Sequence, residues 1–147
     1  MTDINDARTV DATRHRFINP PDLYDPAANG YTHVVTARTP ARLIYIAGQG
    51  GEHRDGELPA DFALQVAQAL ANLAVALEAA DAMPKHVVKL TALVVDHSHE
   101  RLAVLAGALR GMWGDAPAPA CTLVPVPRLA LDGMLFEIDA TAIVPSR

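Results

Sequence analysis

The chain has 147 residues, half of them hydrophobic, with a formal net charge of −5, which suits one domain with a real core. Its acidic balance and lack of a lysine/arginine cluster argue against an extended nucleic-acid surface and for a small metabolite or a partner protein. No apolar run approaches the roughly 18 residues of a membrane span, the N-terminus lacks a secretory-signal core, and one cysteine excludes an internal disulfide; a cytoplasmic protein is expected.

Residues 1–16 are polar and without period, and read as a flexible leader to a single domain over 17–147. Pro20, Pro21 and Pro26 mark an extended entry loop. Residues 31–37 and 43–47 read as strands, and the five residues between them suit a hairpin. Gly48, Gly50 and Gly51 then interrupt the pattern. Pro59 and Asp61 suit a helix start, and Phe62, Val66, Ala69, Leu70, Leu73 and Leu77 recur at helical spacing. The helix ends over 81–84.

Residues 87–95 are β-branched and apolar on both faces, as in a central strand. Ser98 can cap a second helix, whose buried stripe is Leu102, Leu105, Leu109, Met112 and Trp113. A strand at 120–126 follows, with Pro125 placing its end at an edge or bulge. In the last strand, 134–144, Phe136, Ile138, Ala140 and Ala142 share one face and Leu135, Glu137, Asp139 and Thr141 the other. The order ββαβαββ predicts an α+β domain, a mixed sheet with two helices on one face. The other face also needs cover, which a symmetric oligomer would supply.

Several local groups invite sharper readings. Asp96, His97, His99 and Glu100 offer metal-type ligands, but a further distant ligand is usual and a polar strand-to-helix loop is the better reading. His33, His53 and His86 have no recognisable spacing. The glycines at 48–51 lack the Lys and Ser/Thr of a phosphate loop.

Gly30-Tyr31, the Ala-Gly-Gln ending at Gln49, and Gly56-Glu57-Leu58-Pro59 occur in that order. Val87-Val88-Lys89 with Thr91 and Asp96 follows, then Pro119-Ala120, Arg128-Leu129 and Glu137-Ile138-Asp139-Ala140. Together they resemble the RidA/YjgF family, also called L-PSP endoribonucleases, over about residues 17–144. The resemblance implies a chorismate-mutase-like fold, a homotrimer with clefts between subunits, and no metal or organic cofactor. It also implies hydrolysis of reactive enamines and imines to 2-oxo acids and ammonia.

Carried over by position, Tyr31 lines the cleft, and Ala47-Gly48 stand where a Ser-Gly usually holds substrate. Glu137 matches the glutamate that positions the attacking water. Cys121 stands where an arginine grips the substrate carboxylate, and a usual asparagine falls near Ala106. A guanidinium grips carboxylate with a rigid fork of charge-assisted hydrogen bonds; a thiol cannot. Arg128 and Lys89 are the candidate substitutes. Cys121 itself reads as a catalytic nucleophile or as a small buried hydrophobe, the second being favoured. Tyr31 also reads as strand packing with its hydroxyl at the rim, and Glu137 as a solvent-facing strand position. The expected function is a Rid-type deaminase or hydrolase acting on a small enamine, imine or carbonyl compound, with ordinary 2-imino acids disfavoured. The alternatives are a non-catalytic binding or regulatory trimer and, more weakly, an endoribonuclease.

Overall fold

The computed structural model describes residues 9–10 and 15–146. Its main sheet has four strands in the order β4-β7-β5-β6. They are β4 (Ala41–Gly50), β5 (Val87–Val95), β6 (Ala120–Val126) and β7 (Phe136–Pro145). β7 runs antiparallel to β4 and β5, while β5 and β6 run parallel. The sheet is therefore mixed, as the sequence order requires. A second sheet joins β1 (Thr9–Val10), β2 (Arg16–Ile18) and β3 (Val34–Thr36).

Helices α1 (Phe62–Ala79) and α2 (His99–Trp113) both begin on side-chain caps. Asp61 Oδ2 accepts from Leu64 N at 3.0 Å, and Ser98 Oγ accepts from Arg101 N at 3.1 Å. Each cap satisfies a backbone N–H that the first helical turn leaves unpaired. α1 buries Phe62, Val66, Ala69, Leu70, Leu73 and Leu77; α2 buries Leu105, Ala106, Leu109 and Trp113. These stripes meet Leu90, Ala92 and Val94 of β5 and Phe136, Ile138, Ala140 and Ala142 of β7. Full burial of one such leucine stabilises by about 1.5–3 kcal/mol.

Gln65 is the buried polar exception in α1. Its Nε2 donates to Pro59 O and Gly133 O at 2.7 and 2.9 Å, and its Oε1 accepts from Leu135 N at 2.8 Å. Three backbone groups from two loops are thus tied to one side chain, which fixes the entry to β7.

Three sequence expectations need correction. β3 does not form a hairpin with β4; it pairs with β2, with Phe17 opposite Val35. The entry segment supplies the partner that the next strand was expected to give. The expected 31–37 strand is shorter, Val34–Thr36, because residues 31–32 turn towards β6. Finally, the glycines at 48 and 50 do not end β4. The strand runs on to Gly50, with a register shift between Ile46 and Gln49 that absorbs Ala47 and Gly48. Glycine inside a strand often marks a bulge or close approach rather than an end. Of the expected leader, Thr9–Val10 and Arg16 are strand residues; residues 1–8 and 11–14 lie outside the described residues.

The face of the sheet away from the helices carries Leu43 (48% exposed), Tyr45 (76%) and Val124 (39%). Among the described residues, nothing covers these side chains.

Candidate functional site

Gly30 sets the position of Tyr31. It adopts φ +74°, and a Cβ there would lie 3.0 Å from Ala106 O and 3.1 Å from Leu109 Cβ. Only glycine brings this loop against α2 without strain. One residue past Tyr31, Thr32 makes a parallel bridge to Ala120, with its N–H donating to Pro119 O at 3.0 Å. Tyr31 is thereby held beside Cys121. The Tyr31 hydroxyl is hydrogen-bonded to that of Tyr24, and both rings stand edge-on to His33, at 5.5 and 5.2 Å between centroids.

Two hollows share the wall made by Tyr31 and Cys121. The smaller, about 290 Å³, lies between β6 and α2. Its wall is Leu102, Leu105 and Leu109 of α2 with Leu123 of β6, and its polar groups are Tyr24, Asn29, Tyr31, His97 and Cys121. Among the described residues, none that lines it is lysine, arginine or a carboxylate. The larger, about 550 Å³, is an open groove that contains Lys89 and Thr122. Lys89 Nζ donates to Thr122 Oγ1 at 2.6 Å and to Leu90 O at 3.1 Å. Arg128, the other candidate cation, is an exposed residue paired with Asp132 at 2.7 Å and lines neither hollow.

Burial pushes the Cys121 thiol from 9.0 up to about 11; Lys89 pulls it down and Asp139 pushes it up. A neutral thiol is a poor nucleophile. As it stands, Cys121 is a small, uncharged part of the wall. Burial, then the hydrogen bond and charge of Tyr24, raise Tyr31 to about 12, with a smaller push from Cys121.

Glu137 stands elsewhere. Cys121 pairs with Leu90 and Glu137 with Leu93, three residues along β5. An odd step along a strand reverses the face, so Cys121 points to the helices and Glu137 away from them. The Glu137 carboxylate lies over Gly48, where a Cβ would collide with it. One chain therefore unites Tyr31 with Cys121 and Gly48 with Glu137, with Ala47 in the adjoining bulge. It does not bring the two pairs together.

His97, first read as part of a polar loop, lines the small cavity, and its Nδ1 is buried without a hydrogen-bond partner. Its neighbour His99 is exposed at the start of α2. Among the described residues, no three histidine, cysteine or carboxylate side chains gather as a metal set. Tyr24 and the leucine wall were also missed as site residues. The leucine periodicity was visible, but periodicity does not tell a pocket wall from core.

A mixed sheet half-covered by helices, with a small cavity under its parallel edge, defines an α+β domain. Residues 23–144 match the family described as Endoribonuclease L-PSP, and the chain belongs to that family, the RidA/YjgF proteins. YyfB from Yersinia pestis, a Rid-family protein of unknown function, superposes with a TM-score of 0.84 at 36% identity, covering 88% of this chain and 98% of that one. RidA from the Antarctic bacterium Psychrobacter gives 0.65 at 28% identity, covering 78% and 88%. A Mycobacterium tuberculosis member of the YjgF/YER057c/UK114 family gives 0.56 at 31%, covering 81% and 91%. No curated protein sequence matches the chain.

Proposed function

We propose that this protein is a Rid-type hydrolase for a small, neutral enamine, imine or related carbonyl compound. The observation that carries the reading is the uncharged cavity beside Cys121 and Tyr31. A carboxylate moved into such a cavity would leave its hydration shell and meet no cation, a desolvation cost with nothing to offset it. A neutral C=N or C=O group loses far less and can be met by hydroxyl, thiol and imidazole groups.

In this reading the working unit is a homotrimer, and the exposed Leu43, Tyr45 and Val124 face packs against neighbours. The Gly48–Glu137 pair of one subunit then completes the Tyr31–Cys121 cavity of another. Glu137 accepts a proton from water as the water adds to the C=N carbon and passes it to the nitrogen, giving a neutral carbinolamine; Glu137 then carries the carbinolamine's hydroxyl proton to the nitrogen as the C–N bond breaks, C=O forms and ammonia leaves. The backbone at Ala47 and Gly48 offers polar contacts, Tyr31 lines the cleft, and Cys121 sets specificity without attacking substrate. No metal or organic cofactor takes part in this scheme.

The test is the decay of 2-aminoacrylate, generated by a dehydratase, with this protein and with an arginine-bearing relative. The relative should be at least about tenfold faster, given the roughly 1.5–3 kcal/mol that each hydrogen bond to a charged group is worth. Equal rates would overturn the role given to Cys121. A monomeric mass in solution would remove the shared site.

A further inference from the structure

The entry loop brings a second phenol to the site. Pro20, Pro21 and Pro26 restrict its backbone, and His33, the residue before β3, ties it down at two points. The His33 N–H donates to Asn19 Oδ1 at 2.9 Å. The His33 ring bonds Tyr24 O through Nε2 at 2.8 Å; a carbonyl only accepts, so this nitrogen carries a proton. Leu23 N donates to Pro20 O at 3.0 Å and closes the turn just before Tyr24. The Tyr24 ring then stands edge-on to Tyr31, 6.4 Å between centroids, as well as to His33.

Tyr24 and Tyr31 share one hydrogen bond between their hydroxyls. Two hydroxyls carry two protons, and one lies between the oxygens, so one O–H is left for another acceptor. The pair is not sealed off: Tyr24 is 62% exposed, and both residues line the small cavity. If Tyr31 donates to Tyr24, the spare proton is on Tyr24. If Tyr24 donates to Tyr31, it is on Tyr31, beside Cys121. An acceptor seated against Tyr31 selects the second order, because only that order gives it a donor while keeping the bond between the phenols. A hydroxyl that accepts one hydrogen bond is polarised and donates the next more strongly. Burial, then Tyr24, raises Tyr31 to about 12, so it stays a neutral donor at ordinary pH.

We propose that Tyr24 is a positioning residue: its hydroxyl donates to that of Tyr31 and directs the Tyr31 proton onto the reacting nitrogen or oxygen of the substrate. The relay moves no proton from one residue to another. As water adds to the C=N carbon, the nitrogen gains electron density, and the Tyr31 O–H stabilises it until the water-derived proton arrives. The site therefore selects an uncharged hydrogen-bond acceptor over an isostere that cannot accept. This assignment rests on the functional reading above and adds to the same site a residue that the resemblance does not supply.

The experiment is a binding cycle by calorimetry with 2-oxohexanamide and 2-methylidenehexanamide, in which CH₂ replaces the ketone oxygen. Wild type, Tyr24→Phe, Tyr31→Phe and the double variant are compared, each keeping both rings. The reading is the ratio of the two affinities, with wild type as reference. Tyr31→Phe should shift the ratio against the ketone by about tenfold, and Tyr24→Phe by about two- to fivefold. The double variant should match Tyr31→Phe, since Tyr24 acts only through Tyr31.

A merely structural role for Tyr24 would weaken both ligands equally, leave the ratio unchanged and overturn the assignment. A double variant well below Tyr31→Phe would also overturn it, because Tyr24 would then meet the ligand directly. If Tyr24→Phe does not fold, the tyrosine ¹³Cζ resonances of wild type decide: shifts at both Tyr24 and Tyr31 with the ketone alone support the relay, and any other pattern overturns it. Binding needs no turnover. The expected ratios without hydrolysis of the matching imine support the relay and defeat the hydrolase reading; hydrolysis with an unchanged ratio in Tyr24→Phe does the reverse.

Discussion

The carboxylate of Glu137 occupies the space that a side chain at Gly48 would fill. The two residues sit on adjacent strands, where the bulge of β4 turns the backbone of Ala47 and Gly48 under the acid. Replacing Gly48 with alanine should displace Glu137. The displaced group is the free end of a flexible side chain, so unfolding stability should change by no more than about 1 kcal/mol. Activity should fall on the order of 100-fold, the low end of a general acid–base contribution. Denaturant melts alongside kcat for Gly48→Ala and Glu137→Gln check this. A fully active Gly48→Ala would show that Glu137 does not position water.

Alkaline pH should destabilise the fold through two named groups. The Cys121 thiol is raised to about 11 and the Tyr31 phenol to about 12, so the unfolded chain loses these protons first. Where the unfolded state binds fewer protons, stability falls as pH rises. The Cys121 share is whole below about pH 9 and lost towards 11; the Tyr31 share follows towards 12. Melting temperature followed from pH 7 to 12 should fall across this window. Cys121→Ala should flatten its lower half. A wild-type curve that stays level from pH 9 to 11 would contradict the burial of the thiol.

The same burial governs reactivity. Alkylation of native Cys121 by iodoacetamide at pH 8 should run well below the rate of a free thiol, because the thiolate is the nucleophile. Labelling at a free-thiol rate would revive the nucleophile reading.

The sequence showed the helices and most of the main sheet, for identifiable reasons. Asp61 and Ser98 are strong caps ahead of regular apolar stripes, so both helix starts were legible. Residues 87–95 and 120–126 matched β5 and β6 because an apolar run bounded by prolines and polar residues has few other uses. The β2–β3 pairing was hidden because its partners lie outside the regular motif, in a segment without periodicity. Gly48 was mistaken for punctuation because its need for space comes from Glu137, 89 positions further on.

The site was legible only in halves. The resemblance supplied Tyr31, Ala47, Gly48, Cys121 and Glu137, and strand parity then put Cys121 and Glu137 on opposite faces. His97 drew notice in the sequence only as one of the metal-type side chains of a polar loop, with Asp96, His99 and Glu100. Its cavity exists only once α2 is laid across β6.

Gln65 should prove the most costly single polar residue in α1. Gln65→Leu keeps most of the volume but leaves Pro59 O, Gly133 O and Leu135 N without their partner. Buried unsatisfied groups cost about 1–3 kcal/mol each, and partial relaxation should leave a loss of about 2–4 kcal/mol in urea unfolding. A loss under about 0.5 kcal/mol would show that the two loops do not depend on it.

Cys121→Arg reverses the chemistry of the cavity. A guanidinium among leucines is a buried charge without a partner, so the free variant should melt below wild type. 2-Oxobutanoate should then raise its melting temperature and leave wild type nearly unchanged, since a ligand stabilises only the form it binds. The variant should also gain 2-aminoacrylate hydrolysis, which Cys121→Ala should not. An Arg variant without either gain would mean that the cavity differs from its relatives by more than one residue.

The most direct measurement compares kcat/KM for two imines that differ in charge alone, those of 2-oxohexanamide and 2-oxohexanoate. The uncharged wall beside Cys121 predicts a neutral-to-anionic ratio above about 10, the least expected from burying an unpaired carboxylate. A ratio at or below one would contradict the account.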